Sequence, residues 1–355
     1  MAGRTDPPEG TPGGTPGAGD EEYRSTVFDE SFVRAARIEE FSARERLADH
    51  TTAVRARTPE PGPGRAVPKQ GIALALIILL AFAAAIYLGA SNPYDVPRAQ
   101  PAGPPAAALV ALAPEGEVPG DADLAALWAG APAGGLGAGA GAVDLPDPRA
   151  TAHFSREQVL TALTLAKQYV VASALTPQVL AGVGAVPVRE LLGPDQQRQL
   201  DLALGGQHPT SRPTDWLVRF DPGEAVLADP QVRVDGELSF AEVADDTLEV
   251  GGRHVFAYAV RPAGTGPEEP AALFVVQRQV RLQFGEQELR QRNVVLRQAD
   301  TLAGPLDCAA DHRDELHPLL PGTSAARTAP GTTYDPYDLT GERGALCGTF
   351  DLNRT

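Results

Sequence analysis

The strongest β-sheet signal in this 355-residue chain is the stretch Leu248-Glu-Val-Gly-Gly-Arg-His-Val-Phe-Ala-Tyr-Ala-Val260. Apolar, β-branched and aromatic residues dominate it, and the pair Gly251-Gly252 interrupts it. Such a pair between two apolar runs is typical of a β-hairpin, because glycine accepts the positive φ of a two-residue turn. The stretch therefore predicts two antiparallel strands joined at the glycine pair.

Period-two patterns extend this signal on both sides. From Phe274 to Phe284, apolar residues alternate with Gln and Arg, which predicts a strand with one wet face. The segments Trp216–Phe220 and Val232–Val243 are also predicted strands. Upstream, Ser155-Arg-Glu-Gln158 is a capping-box sequence and predicts a helix that ends near Leu175.

The order of elements predicts the fold class. Helices followed by an antiparallel strand meander indicate an α+β domain over residues 151–305. By element order alone, a cystatin-like or NTF2-like fold is the expectation. Pro, Ala and Gly dominate residues 90–150, which predicts a linker before this domain.

An uncharged apolar run from Gly71 to Gly89 predicts one transmembrane helix. At 1.5 Å per residue it reaches roughly 28 Å, close to the thickness of a bilayer core. A buried helix and a cleavable signal peptide are the alternatives. The flanking basic residues are concentrated on the N-terminal side: Arg55, Arg57, Arg65 and Lys69 precede the run, and Arg98 follows it. The bias predicts a single-pass cell-membrane protein, with membrane lipid as a partner, a cytoplasmic N-terminus and an extracytoplasmic C-terminus.

Residues 1–70 are predicted to be a cytoplasmic tail, disordered at first, with a helix over 28–48. Apolar aromatic side chains on an isolated helix indicate that a protein partner covers them. The alternative is a weak, partly helical segment with no specific partner. The predicted partner-binding residues are Phe28, Phe32, Arg37, Ile38 and Phe41.

The two cysteines, Cys308 and Cys347, both follow the apolar run. An oxidising compartment favours their pairing, although sequence spacing alone does not prove the bond. We predict a disulfide that pins residues 306–355, an otherwise irregular C-terminal tail.

Motifs that carry catalysis are not found in the sequence. It has no nucleophile elbow, no His-Glu-x-x-His and no Cys-x-x-Cys. Cys308, His312 and His317 are possible zinc ligands, but the disulfide would use Cys308 and the spacing is unfamiliar. The net charge of −16 excludes nucleic acid as a partner. We therefore expect no enzymatic activity, no cofactor and no metal.

The stretch Tyr23–Leu47 resembles the cytosolic signature of a family of actinobacterial single-span membrane proteins, some of which belong to the streptomycete spore-wall-synthesising complex. The segment Ser173–Leu192 and the motifs Asp335-Pro-Tyr-Asp338 and Cys347-Gly348 are similar to that family's outer domain. The resemblance implies a non-enzymatic bitopic scaffold in sporulation or cell shape. It would link the bacterial actin-like cytoskeleton inside to wall-synthesis enzymes outside. A transmembrane sensor of the anti-sigma type is the alternative.

Overall fold

The computed structural model describes residues 69–90, 102–326, 333–339 and 347–350, and within the first of these ranges the side chains of 71–85. The chain divides into two compact units, Met1–Asn92 and Pro93–Thr355.

The first unit is described over one helix, α1 (Lys69–Ala90). Its side chains at positions 71–85 are exposed, including those of Leu79 and Leu80. Across the part of the chain that the structure describes, none of the helices combines the length and apolar character that a membrane crossing requires. The predicted transmembrane helix over Gly71–Gly89 is therefore wrong, as is the single-pass cell-membrane location with its two-sided topology.

A mixed sheet organises the second unit. Its nine described strands are, in chain order, β1 (Ala106–Pro114), β2 (Gly137–Ala138), β3 (Ala225–Leu227), β4 (Arg233–Ala244), β5 (Thr247–Pro262), β6 (Ala272–Phe284), β7 (Val295–Gly304), β8 (Thr333–Tyr334) and β9 (Cys347–Phe350). Across the sheet they lie in the order β2-β4-β5-β6-β7-β1-β9-β8, and β3 pairs with the end of β5.

The predicted fold class is wrong because the sheet is not a purely antiparallel meander. The strands β4 to β7 pair antiparallel, whereas β1 pairs in parallel with both β7 and β9, and β8 pairs in parallel with β9. The predicted attachment to a transmembrane helix fails as well, and so does the cystatin-like or NTF2-like interpretation.

Two segments that composition describes as linker and tail contribute strands. Strand β1 comes from the Ala-rich part of residues 90–150, and β8 and β9 come from residues 306–355. Alanine has a low β propensity, so β1 has little local reason to be a strand. It is a strand because β7 and β9 pair with its two edges.

The strand β5 is continuous through Gly251 and Gly252, so the predicted hairpin turn is wrong there. A Cβ on Gly252 would lie 3.1 Å from side-chain atoms of both Leu238 and Val280 on the neighbouring strands. The glycine pair therefore permits close packing within the sheet, which is a second use of glycine in strands. The chain turns between β4 and β5 at Asp245 and Asp246 instead.

The α-helices described in the second unit are α2 (Leu124–Ala129), α3 (Arg156–Ala174), α4 (Pro177–Leu180), α5 (Val186–Arg189), α6 (Pro194–Leu204), α7 (Pro213–Trp216) and α8 (Glu286–Gln291). Helices α3 to α8 cover one face of the sheet, and α2 packs on the opposite face. The predicted capping box begins α3: the Ser155 amide donates to Gln158 Oε1 at 2.8 Å, and the Gln158 amide donates to Ser155 Oγ at 3.3 Å. Trp216 ends α7, which corrects the predicted strand Trp216–Phe220.

Two tyrosines fix α3 in the core. The Tyr169 hydroxyl donates to the Trp216 carbonyl at 2.6 Å, and the Tyr258 hydroxyl of β5 donates to the Ala174 carbonyl at 2.8 Å. Burial raises the pKa of Tyr169 to about 12 and raises that of Tyr258 well above its ordinary value, so both hydroxyls keep their protons at physiological pH. The opposite face of the sheet has a smaller core, in which Trp128 of α2 and Phe350 of β9 are buried.

Candidate functional site

The outer edge of β4 is open over much of its length. On its inner side, β4 pairs with β5 throughout. On its outer side, the one described strand that pairs with β4 is β2, and it pairs only with Arg233 and Val234. We call residues 235–241 the open edge. An edge strand presents alternating free N–H and C=O groups, which are a template for another strand.

The far end of β4 is held by side-chain contacts. The His153 amide donates to Glu242 Oε2 at 3.0 Å, and His153 Nδ1 lies 2.5 Å from Glu242 Oε1. The hydrogen bond to His153 lowers the pKa of Glu242 to about 2, so this carboxylate is ionised at physiological pH. Glu242 is therefore already engaged, and the open edge ends beside it.

A polar groove lies on the wet face of the sheet beside the open edge. It has a volume of about 560 Å³, and six of its lining residues are Glu237, Ser239, Gly251, Arg253, Gln279 and Arg281. Strand pairing sets their arrangement, because Glu237 lies opposite Arg253, and Arg253 lies opposite Gln279. Gly251 lies between Ser239 and Arg281 and provides a low point in the surface. The groove is thus a charged depression that continues from the open edge onto the sheet.

Beneath the groove, on the helix-covered face, three buried polar side chains form a row across β5, β6 and β7. We call His254, Arg278 and Thr301 the buried polar row, because His254 pairs with Arg278 and Arg278 pairs with Thr301. Each is at most 3% exposed. Within the described residues, His254 Nε2, Arg278 Nε and Thr301 Oγ1 have no hydrogen-bond partner.

Arg278 connects this row to α7. Its guanidinium donates to the carbonyl oxygens of Thr214 at 3.1 Å and Asp215 at 3.0 Å. Carbonyls at the end of a helix lack intrahelical donors, and a cation there is favoured by the helix dipole. Burial lowers the pKa of His254 to about 4, so His254 is neutral next to the charged arginine. Within the row, Arg278 holds α7 on the sheet.

The predicted disulfide between Cys308 and Cys347 is present, with a Cα–Cα distance of 5.8 Å. It ties the loop 307–317 to β9, and it removes Cys308 from any set of metal ligands. The other two possible zinc ligands, His312 and His317, remain neighbours, with ring centres 5.7 Å apart, but their nitrogens face different groups. His312 is buried and lies 2.7 Å through Nε2 from the Asp307 carbonyl oxygen, whereas His317 lies 2.8 Å through Nδ1 from Glu224 Oε2.

Sequence reasoning missed Glu224 and Asp221 as neighbours of His317. They lie more than 90 residues away along the chain, and no spacing rule connects them. The parallel bridge between Phe220 and Leu316, with the ion pair between Arg219 and Glu315 beside it, brings the two segments together. The predicted partner-binding residues of the tail helix (Phe28, Phe32, Arg37, Ile38 and Phe41) lie outside the described residues.

No family model, no curated protein and no solved structure matches the chain.

Proposed function

We propose that this chain is a non-enzymatic interaction protein whose second unit binds an extended segment of a partner protein along β4. The observation that carries the proposal is the open edge over residues 235–241, which has an inner pairing strand and no described outer one. A partner segment in extended conformation would continue the sheet through main-chain hydrogen bonds.

The energetics favour such an addition at a modest affinity. Each new main-chain hydrogen bond contributes about 1 kcal/mol net. A segment that spans the open edge forms several of these bonds, and ordering the segment offsets part of the gain. The polar groove beside the edge supplies side-chain contacts, which give specificity to the main-chain pairing.

The charges around the edge favour a basic segment. Acidic residues outnumber basic ones along β4, its turn and the start of β5: Asp235, Glu237, Glu242, Asp245, Asp246 and Glu249 are acidic, and Arg233 and Arg253 are basic. Arg233 and Glu242 are already engaged, by the Trp128 ring at 5.3 Å and by His153 respectively, which leaves five acidic residues against Arg253. A basic partner is therefore attracted to this edge.

The same charges disfavour pairing between two copies of this chain. Two acidic edges that met in antiparallel orientation would bring like charges close together, and such charges protect natural edge strands from self-association. The open edge is thus better suited to a different protein than to a second copy.

The wider role we propose is that of a scaffold in cell-wall building, with wall-synthesis enzymes as the partner class for the open edge. The resemblance of Tyr23–Leu47 to a morphogenetic family supports this choice. This role does not depend on any chemistry at the described residues.

A displayed library of linear peptides, screened against the full chain, tests the proposal. We expect recovered peptides to be basic and rich in β-branched residues. Their binding should slow hydrogen exchange at the amides of 235–241. Glu237→Lys should weaken binding about tenfold, because it reverses one charge beside the edge.

Glu117→Lys is the matched control, since Glu117 is also exposed and the change in net charge is the same. It should alter binding less than twofold. Protection confined to other segments, or equal losses in the two variants, would overturn the proposal.

A further inference from the structure

Two segments that are distant along the chain meet beside the loop 307–317. A parallel bridge joins Phe220 to Leu316, with the Leu316 amide donating to the Arg219 carbonyl at 2.9 Å. On its other side, the Asp221 amide lies 3.3 Å from the Leu316 carbonyl oxygen. The residues that follow the bridge on each segment, Asp221 and His317, therefore lie side by side.

A tight turn adds a third side chain. The Glu224 amide donates to the Asp221 carbonyl at 3.1 Å, which folds Glu224 back over Asp221. The Gly223 amide donates to Asp221 Oδ1 at 2.8 Å and leaves Oδ2 toward His317. The backbone thus holds two carboxylates and an imidazole in one place.

The three side chains have the geometry of a cation site. His317 Nδ1 lies 2.8 Å from Glu224 Oε2 and 3.9 Å from Asp221 Oδ2, and one ligand atom from each residue lies within 4.8 Å of the others. Ligands that share a zinc ion at about 2.1 Å lie roughly 3 to 4 Å apart. The set needs only a small adjustment at the closer pair to accept an ion.

A second imidazole points to the same chemistry independently. His312 is 3% exposed, and its ring centre lies 5.7 Å from that of His317. Its Nε2 faces the Asp307 carbonyl, which can only accept, so Nε2 carries the proton and Nδ1 keeps its lone pair. Within the described residues this buried Nδ1 has no partner, which is an uncommon state for a buried polar atom.

We propose that Asp221, Glu224 and His317 bind a divalent transition-metal ion of the Zn²⁺ class. The Nδ1 of His312, in the same loop and without a partner among the described residues, is a further potential ligand. One imidazole with two carboxylates suits Zn²⁺ better than Mg²⁺ or Ca²⁺, which prefer oxygen ligands alone. The Asp221 and His317 side chains are 29% and 31% exposed, so water can reach the remaining coordination positions of the ion. The ion would join the Asp221 turn to the loop 307–317 and replace the hydrogen bond between His317 and Glu224.

The chain contains an internal control for this proposal. His153, Glu242 and Asp245 also have ligand atoms within 4.8 Å of one another. The side chain of His153 is 50% exposed, and the second buried imidazole found beside His317 has no counterpart among the described contacts of this group. We expect the His153 group to bind the ion weakly or not at all.

Calorimetric titration of the chelator-treated full chain with Zn²⁺ tests the proposal, with Co²⁺ absorption as a second readout of coordination. We expect one Zn²⁺ per chain. His317→Ala and Glu224→Gln should each weaken binding at least tenfold, whereas His153→Ala should leave it unchanged. Zn²⁺ should raise the thermal midpoint of the wild type and of His153→Ala.

Glu224→Gln keeps the test decisive if His317→Ala perturbs the fold, because Glu224 is more than half exposed and the change conserves its shape. Absence of binding heat in the wild type would overturn the proposal. So would unchanged affinity in Glu224→Gln, or a loss in His153→Ala equal to that in His317→Ala.

Discussion

Gly236 of β4 lies opposite His254 of β5 so closely that only a glycine fits there. A Cβ at position 236 would lie 2.1 Å from the Arg253 carbonyl oxygen and 2.6 Å from the His254 Cα. Gly236 also has a φ of +146°, which residues with a side chain rarely adopt. The contact connects the open edge to the buried polar row, because Gly236 belongs to the edge and His254 belongs to the row.

Gly236→Ala should destabilise the second unit by about 2–4 kcal/mol, because strain at positive φ adds to a clash with backbone atoms. Denaturant unfolding of the full chain measures the loss. Gly116→Ala is the control, since a Cβ there meets no atom within 4 Å. It should change the free energy of unfolding by less than about 0.5 kcal/mol. Equal effects from the two substitutions would contradict the close approach of β4 and β5.

Stability should fall in mild acid because of His254. Burial lowers its pKa in the folded chain to about 4, whereas an unfolded histidine has a pKa of about 6.5. Between these values the unfolded state binds more protons, so the free energy of unfolding rises with pH. The contribution is fully present above pH 6.5 and is lost as the pH falls toward 4.

From pH 7 to pH 5 the loss from this one group should be about 2 kcal/mol. Denaturant unfolding at the two pH values measures it, with His254→Gln as the comparison. The variant should be less stable at pH 7 but should show a shallower dependence on pH. An identical slope in the wild type and in His254→Gln would show that His254 is not the group responsible.

The guanidinium of Arg278 should hold α7 in place. Arg278→Met removes the donors to the Thr214 and Asp215 carbonyls and leaves those buried acceptors unsatisfied. An unsatisfied buried group costs about 1–3 kcal/mol, which sets the expected destabilisation. Hydrogen exchange should accelerate over residues 213–218, which measures the release of α7 directly.

Arg281→Met is the control for this experiment. Arg281 lies on the same strand, but its side chain is exposed on the wet face beside the groove. We expect little change in stability and none in the exchange of α7. Faster exchange of α7 in both variants would mean that the loss of any arginine from β6, rather than the Arg278 contacts, loosens the helix.

Local signals in the sequence succeeded where local physics decides the outcome. The Ser155–Gln158 capping box forms because both hydrogen bonds lie within four residues. The alternating pattern from Phe274 to Phe284 is β6, but its wet face is confined to the second half of the strand. Val275 and Gln277 are buried on that face, because the smaller core covers the first half. The pairing of Cys308 and Cys347 was also predicted from the sequence and is present.

The predictions failed where one local sequence feature is compatible with two different structures. Gly251-Gly252 has the composition of a turn, but the neighbouring strands need the missing side chains for close packing. The apolar run over Gly71–Gly89 suggested a membrane crossing that the described helices do not support. Length and composition of one segment were not enough to decide either case.

By itself, the sequence determined the acidic balance, the α3 cap, the strand pattern of β6 and the disulfide pair, because each depends on residue type or short spacing. Only the tertiary structure decided that Ala-rich β1 enters the sheet between β7 and β9, since its partner residues lie 192 and 236 positions further along the chain. The same holds for the open edge of β4 and for the meeting of Asp221, Glu224 and His317. Strand order and long-range bridges place these groups, and pairing between distant segments leaves no periodic signal in either one.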